Sequence, residues 1–249
     1  MRIALFSDIH ANLPALAAVL ADIDGRKPDA IYCLGDLVGY NIWPNEVIAA
    51  IRDRSIATIA GNHDLKVANL NTIDDSGLEQ SGKNYAYHII KTQHREYLLS
   101  LPAHIRVEFR LNNELITLLL VHGSPRSVDE YLFEDMPQAE LSTIMLEANA
   151  DIMCFGHTHK PYHRIINTCE NGNDHFRHAI NLGSVGKPKD GDNRACYVML
   201  SIDQKTSTTD ASVINVEFIR VKYDVEKAAK AVEGSPLPDE FADMLRKAY

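Results

Sequence analysis

Two short segments of the sequence carry pairs of metal-binding side chains at the same spacing. CFGHTHKPY, residues 154–162, holds His157 and His159, and SDIH, residues 7–10, holds Asp8 and His10. Imidazole nitrogens and carboxylate oxygens are common ligands of divalent metals, so each pair could hold part of a metal site. Either pair alone is also typical of a surface turn, and neither motif predicts a site by itself.

Three further polar clusters extend the pattern: GD at residues 35–36, GNHD at residues 61–64 and HG at residues 122–123. A two-metal site needs about seven nitrogen or oxygen ligands, one of them shared. We therefore expect two divalent ions, with manganese first, iron or zinc as alternatives, and magnesium disfavoured by four histidines. The seven candidate ligands are Asp8, His10, Asp36, Asn62, His122, His157 and His159.

Each cluster follows an apolar run that predicts a β-strand. RIALFSD and AIYCLGD are strand patterns followed by the helical patterns LPALAAVLADI and PNEVIAAIRD, and IATIAGNHD is a third strand pattern. This repetition predicts a layered α/β core that begins with a parallel sheet. Ligands bind beyond the carboxyl ends of the strands in such sheets, which is where the polar clusters lie.

The second half of the chain predicts further strands. HIRVEFRL and ELITLLLVHG form a hairpin pattern around the turn pair Asn112 and Asn113, and the helical pattern QAELSTIMLEAN precedes the strand DIMCFG. We expect the later strands to form a mostly antiparallel sheet added to the parallel start, and residues 1–249 to form a single domain. The later strand patterns are YHRIIN, HAINLGS, ACYVMLSID and ASVINVEFIRV.

Composition narrows the possible partners. The net charge of −9 and the pI near 5.6 disfavour binding to a nucleic acid duplex, which relies on clustered Lys and Arg. No apolar run approaches the roughly 18 residues that span a bilayer, and the first residues do not resemble a signal peptide. We therefore expect no membrane partner and a cytoplasmic location. Oligomeric state cannot be read from the sequence.

The motifs D-x-H, G-D, G-N-H-D, H-G and G-H-T-H, in this order, resemble the signature blocks of the calcineurin-like metallophosphoesterase superfamily over roughly the first 190 residues. SDIHANLPALAAVLADI, YCLGDLVGYN, HGSPR and NLGSVGKPKDGDNRACY resemble its small bacterial and archaeal phosphoesterase branch, some members of which hydrolyse dinucleoside polyphosphates or phosphodiesters. The resemblance implies an α/β fold, a four-layer α/β/β/α sandwich of two mixed sheets flanked by helices.

The resemblance also implies a role for each ligand. It gives one metal to Asp8, His10, Asp36 and His159, and the other to Asp36, Asn62, His122 and His157, with Asp36 shared. It makes His63 the general acid that protonates the leaving oxygen, and an imidazole that titrates near pH 6 to 7 suits this role. Asp64 is the candidate carboxylate for orienting His63. Asn62, His63 and Arg126, in HGSPRS, are the expected substrate-binding residues.

The expected activity is that of a metal-dependent phosphoric ester hydrolase. A hydroxide that bridges two metals would hydrolyse phosphodiester or phosphoanhydride bonds of a small phosphorylated substrate, with a nucleotide the first expectation. Two alternatives stay open: a specific dinucleoside tetraphosphate hydrolase, and an inactive interaction scaffold. The D-R-G of protein serine/threonine phosphatases does not follow Gly35-Asp36, which disfavours phosphoprotein substrates.

Overall fold

Strands and helices alternate along the first 65 residues in this computed structural model, which describes residues 1–70, 75–111, 114–169 and 172–249. Asn12 begins the first helix by accepting a hydrogen bond from the backbone N–H of Ala15, as a helix cap does. The elements are β1 (Arg2–Phe6), α1 (Leu13–Arg26), β2 (Ala30–Cys33), α2 (Pro44–Asp53), β3 (Ala57–Thr58), α3 (Asn62–Leu65), α4 (Asp75–Leu78), α5 (Tyr85–His88) and α6 (Thr92–Leu99), with 3-10 turns at Lys66–Asn69 and Gly82–Asn84.

The second part of the chain is richer in strands. The predicted turn at Asn112 and Asn113 lies outside the described residues, but the two strands on either side of it pair antiparallel, as the hairpin pattern predicts. The elements are β4 (Ile105–Leu111), β5 (Glu114–Leu120), α7 (Gln138–Glu147), β6 (Ile152–Phe155), β7 (Tyr162–Asn167), β8 (Phe176–Asn181), β9 (Ala195–Ser201), β10 (Asn215–Val221), α8 (Val225–Glu233) and α9 (Glu240–Lys247).

The strands form two mixed five-stranded sheets. The first has the order β10-β9-β1-β2-β3, and the second has the order β4-β5-β6-β8-β7. The prediction that the later strands add one mostly antiparallel sheet is wrong. β9 and β10 join the first sheet beside β1, while β5, β6 and β8 are parallel to one another in the second. β9 is buried on both faces, which suits an interior strand covered from both sides.

The two sheets face each other across an apolar core, with helices outside. Ile3 and Leu5 of the first sheet pack with Leu118 and Ile180 of the second. α1 and α2 cover the outer face of the first sheet, and α7 covers the outer face of the second. This arrangement confirms the four-layer α/β/β/α sandwich. Within the described ranges, no helix is both long and apolar enough to cross a membrane.

The carboxyl ends of the parallel strands meet at one edge of the sandwich. The backbone N–H of Asp8, after β1, donates to the carbonyl of Gly35, after β2, at 3.0 Å. The N–H of Gly156, after β6, donates to the carbonyl of His122, after β5, at 2.9 Å. The chain that leaves β8 crosses to the first sheet here, since the N–H of Gly186 donates to the carbonyl of Asp8 at 2.9 Å. One edge therefore gathers loops from both sheets.

Candidate metal centre

The structure brings all seven predicted ligands together at this edge. Potential ligand atoms of Asp8, His10 and His159 lie within 4.8 Å of one another, and so do those of Asp36, His122 and His157. Asn62 joins the second group, because its Oδ1 lies 3.3 Å from Nε2 of His122. A third such group joins His10 and Asp36 with His63, so Asp36 lies next to both of the other groups, with its Oδ2 3.6 Å from Nε2 of His10. The division of these residues between two metals stays a prediction.

Three of the imidazole rings are held in one orientation by backbone carbonyls. Nδ1 of His10 lies 3.0 Å from the carbonyl of Val38, and Nδ1 of His122 lies 2.7 Å from that of Leu34. Nδ1 of His159 lies 2.5 Å from the carbonyl of Lys187. A carbonyl only accepts, so each Nδ1 carries a proton and each Nε2 is the nitrogen turned toward the centre, the arrangement in which Nε2 can bind a metal.

His157 is turned the other way. Its Nε2 lies 3.2 Å from the carbonyl of Asp129, which leaves Nδ1 as the nitrogen free to bind a metal. Its ring stacks on Tyr131 with centroids 4.0 Å apart and meets the ring of His122 edge to face at 5.2 Å. The loop after β5 thus supplies both the carbonyl and the aromatic surface that fix this fourth imidazole.

Two buried carboxylate oxygens in the centre lack a hydrogen bond from the described residues: Oδ1 of Asp8 and Oδ2 of Asp36. The other oxygen of each side chain is satisfied, since Oδ2 of Asp8 accepts from the N–H of His157 at 3.0 Å and Oδ1 of Asp36 accepts from that of His63 at 2.7 Å. A buried carboxylate oxygen without a donor is costly unless a cation binds it. This donor set therefore fits divalent metal ions.

The pKa shifts in the centre also indicate a site for cations. Burial alone would raise the pKa of Asp8 and Asp36, but the facing imidazoles, His159 and His122 foremost, hold both pKa values below the usual carboxyl range. Burial lowers the pKa of His10 well below its ordinary value. Burial also acts to lower the pKa of His122, but Asp36 outweighs it and raises that pKa to about 10. Carboxylates that stay ionised and favour a positive charge beside them make a site for cations.

Backbone geometry at the site is strained. Left-handed backbone costs a residue other than glycine about 1–2 kcal/mol, and such strain persists where function requires it. Gly61 and Gly156 let the carboxylates lie against the backbone, because a Cβ there would fall 2.2 Å from Oδ1 of Asp36 and 2.3 Å from Oδ2 of Asp8. The left-handed ligands are Asp8 (φ 57°), His10 (φ 50°), Asp36 (φ 54°), His157 (φ 65°) and His159 (φ 61°).

His63 lies beside the centre, with its ring centroid 4.9 Å from that of His10. Its Nδ1 contacts the hydroxyl of Tyr87 on α5, a residue that the sequence analysis did not single out. Burial lowers the pKa of His63 to about 4, even though Asp36 favours the charged ring. This pKa lies below the range of 6 to 7 expected for an ordinary imidazole.

Asp64 does not orient His63. Its carboxylate accepts backbone hydrogen bonds from Asp36 at 2.8 Å, from Leu37 at 2.9 Å and from Gly61 at 3.0 Å. The candidate orienting role is corrected: Asp64 ties the loop after β2 to the loop after β3. Among the described residues, the side chains within hydrogen-bond distance of His63 are Tyr87, at Nδ1, and Lys66, whose Nζ lies 3.4 Å from Nε2.

Arg126 lies at the rim, on the loop after β5. Its guanidinium forms an ion pair with Glu130, with Nε 3.1 Å from Oε2. It also lines a cavity of about 440 Å³ whose wall includes His122, Ser124 and Leu101. Arg126 is thus near the candidate centre but paired with a carboxylate, and its role in substrate binding stays a prediction.

Two lysines at the centre also escaped the sequence analysis. Lys187 is only 2% exposed, its ammonium lies 4.7 Å from the ring centroid of Tyr40, and burial lowers its pKa to about 8. Lys189 is half-buried, and its pKa is lowered by burial but raised by Asp8 and Asp36. The signal that could have identified Lys187 and Lys189 is their close spacing in GKPKDGD, within an otherwise acidic chain.

Comparison with known proteins agrees with the fold and the motifs. The model of the calcineurin-like phosphoesterase superfamily domain matches residues 1–205. The uncharacterized protein MJ0912 of Methanocaldococcus jannaschii is 32% identical over 257 residues, which cover 98% of this chain and 96% of that protein.

Two solved structures superpose over the whole chain. The crystal structure of a metallophosphoesterase from Sphaerobacter thermophilus has a TM-score of 0.77 at 30% identity, and the match covers 100% of this chain and 99% of the other. The hypothetical protein PH1004 from Pyrococcus horikoshii OT3 has a TM-score of 0.78 at 23% identity, over 100% and 98% of the two chains, and shows a shared fold. The chain therefore belongs to the calcineurin-like phosphoesterase superfamily.

Proposed function

We propose that the chain is a binuclear metal-dependent phosphoesterase that hydrolyses phosphodiester or phosphoanhydride bonds of small, nucleotide-type substrates. One observation carries the proposal. Two buried carboxylate oxygens, on Asp8 and Asp36, have no donor among the described residues and face imidazole nitrogens that are oriented to bind cations. Such a centre supplies positive charge where an acidic protein has to bind a phosphate.

In this proposal, Asp8, His10, Asp36 and His159 hold one ion, and Asp36, Asn62, His122 and His157 hold the other. Manganese is the first choice, with iron or zinc as alternatives, because nitrogen and oxygen donors are mixed; magnesium fits four imidazoles poorly. When bound, the ions would withdraw charge from phosphoryl oxygens and make water more acidic, as in other two-metal hydrolases.

The side chains around the centre would do the remaining work. His63 would donate a proton to the leaving oxygen, and a phosphate anion beside it would raise its pKa and so oppose the lowering by burial. Asn62, a neutral ligand, adds no negative charge near the substrate. Arg126 would reach a phosphoryl oxygen only after leaving its ion pair with Glu130.

Two alternatives make different predictions. A specific dinucleoside tetraphosphate hydrolase would act on the same centre but reject simple phosphodiesters. An interaction scaffold would bind no metal, and the complete set of seven candidate ligands speaks against it. A cytoplasmic location and a single domain over residues 1–249 remain part of the proposal.

The test combines metal content with activity. Purified protein, loaded with manganese, should hold close to two metal ions per chain and hydrolyse bis(p-nitrophenyl) phosphate. Asp36→Asn should abolish hydrolysis and lower metal content, whereas Asp210→Asn, at an exposed position, should change neither. A protein that binds fewer than one metal ion per chain and does not hydrolyse this diester would contradict the proposal that the chain is an enzyme.

A further inference from the structure

Two aromatic side chains on the loop after β5 are exposed beside the candidate metal centre. Tyr131 and Phe133 are each 46% exposed. Their rings stack in nearly parallel planes, 3° apart in orientation, with centroids separated by 5.4 Å. Aromatic rings are large apolar groups, so two of them together at the surface make a patch that a ligand can cover. The proposed chemistry at the centre uses neither ring.

The aromatic pair is continuous with a candidate metal ligand. The ring of Tyr131 stacks on that of His157, with centroids 4.0 Å apart, and Phe133 adds a second ring to Tyr131. Burial raises the pKa of Tyr131, and the carboxylate of Asp36 adds to this rise. Electrostatic effects weaken with distance, so the phenol lies near the carboxylates of the centre. The pair therefore borders the place proposed for the phosphoryl group.

The residue between the two rings holds them in place. Leu132 is 1% exposed and packs in the apolar core under α7. Its carbonyl accepts a hydrogen bond from the hydroxyl of Tyr162 at 2.7 Å. One residue after the second ring, the carbonyl of Glu134 accepts from the guanidinium of Arg164 at 3.0 Å. Rings on an anchored segment lose little conformational freedom when a ligand binds, which favours binding.

The charge of this loop favours a small neutral ring over a second copy of the chain. Four carboxylates flank the pair in DEYLFED, residues 129–135, and only one of them, that of Glu130, is paired with Arg126 on the same loop. The chain carries a net charge of −9, so a second copy would bring further negative charge against this loop, at a cost. A ring attached to a phosphoryl group avoids that cost, because the negative charge of such a ligand would go to the metal centre.

From these observations we infer that Tyr131 and Phe133 bind an aromatic ring carried by the substrate, so that this loop selects aryl and heteroaromatic phosphoesters over alkyl ones. The inference rests on the proposed function for the place of the phosphoryl group. Stacking of one ring on another adds affinity beyond that of apolar burial alone, and an alkyl group of the same size lacks this contribution. Both residues determine specificity and take no part in the chemical step.

The test measures binding of three stable probes to the manganese-loaded protein by calorimetry: methylphosphonate, benzylphosphonate and the saturated counterpart of the latter, cyclohexylmethylphosphonate. Wild type should bind benzylphosphonate most tightly. Phe133→Leu keeps an apolar side chain and removes the ring, so it should weaken benzylphosphonate about fivefold and the other two probes less than about twofold. Tyr131→Leu should show the same selective loss. Tyr249→Leu, at a position that is 48% exposed, is the matched control.

Equal affinity of wild type and Phe133→Leu for benzylphosphonate, or an equal loss for all three probes, would overturn the inference. If Tyr131→Leu loses metal through its contact with His157, or folds poorly, Phe133→Leu decides alone. Sedimentation tests the other occupant: a wild-type dimer that dissociates in Phe133→Leu, with unchanged affinity for the probes, would assign the pair to contacts between copies and reject the inference. A protein that binds benzylphosphonate selectively through Phe133 but hydrolyses no phosphoester contradicts the proposed function and keeps the aromatic site.

Discussion

The hydroxyl of Tyr87 contacts Nδ1 of His63, so a residue of α5 holds the side chain proposed to protonate the leaving group. Burial raises the pKa of Tyr87, which keeps its hydroxyl protonated at any physiological pH. The contact holds Nδ1 of His63, while Nε2 lies 3.4 Å from Nζ of Lys66. Tyr87 is a positioning residue in this proposal, because it acts through His63.

Tyr87→Phe should therefore slow hydrolysis most where the leaving group needs a proton. We expect kcat to fall about tenfold for an alkyl phosphodiester and to change little for a p-nitrophenyl diester, since general acid catalysis contributes most with basic leaving groups. His63→Ala should show the same selectivity with a loss of about 100-fold or more. Tyr85→Phe, on the same helix but packed against the C-terminal helices, is the control. Equal losses for both leaving groups would contradict a role through His63.

Asp64→Asn should weaken both the fold and the metal site. The carboxylate accepts three backbone hydrogen bonds, and an asparagine places an N–H₂ group where one of those donors points. Leaving a buried donor unpaired costs about 1–3 kcal/mol, which urea unfolding would measure. Because the same loops carry Asp36 and Asn62, metal affinity should fall as well. Asp53→Asn, at an exposed position, should change neither the free energy of unfolding nor the metal affinity. Unaltered metal affinity in Asp64→Asn would contradict the role of Asp64 in holding the two loops together.

Metal binding should stabilise the folded chain. At a free metal concentration 100 times the dissociation constant, each site adds about 2.7 kcal/mol to the free energy of unfolding. For a chain of this length, that corresponds to a rise in Tm of roughly 5–10 °C. Scanning calorimetry of chelator-treated protein, with and without added manganese, would measure it. In Asp36→Asn, added manganese should raise Tm much less than in wild type. An equal rise in Tm in that variant would show that the metal binds elsewhere.

We expect the free energy of unfolding to fall on mild acidification because of His178. Its Nδ1 lies 3.0 Å from Nε2 of His163, and burial lowers its pKa from 6.5 to about 4. Between these two values the unfolded chain binds more protons than the folded chain, so stability is complete above pH 6.5 and is lost as the pH falls toward 4. The maximum loss is about 3 kcal/mol.

Urea unfolding of metal-free protein at pH 7.5 and pH 5 would measure this loss. His178→Asn should show a smaller difference between the two pH values than wild type, because the group that resists protonation is gone. His104→Asn, at an exposed position, should behave as wild type. If wild type and His178→Asn lose the same stability, the pH dependence arises from other groups, such as the imidazoles of the metal centre.

The positions of the candidate metal ligands were easier to predict from the sequence than the residues that support them. Asp8, Asp36 and His157 each follow an apolar run and a turn, so strand periodicity alone placed them at one sheet edge. Tyr87 could not be found, because it reaches His63 from a segment of short helices whose packing no periodicity encodes. Periodicity likewise reports that β9 is buried but not that β1 is its neighbour. The lysines of GKPKDGD were visible, but only the folded chain shows that their acidic neighbours are paired with arginines.

Each of the two ligand groups draws on both sheets. Asp8 and His10 come from the first sheet and meet His159 from the second, while Asp36 meets His122 and His157. The candidate centre thus joins the two sheets of the sandwich, and its geometry depends on the distance between them. The cavity beside His122 is lined by side chains that hold none of the candidate ligands, among them Leu65, Leu101 and Val128. Substitution of these side chains can therefore change what the cavity accepts while the distance between the sheets is kept.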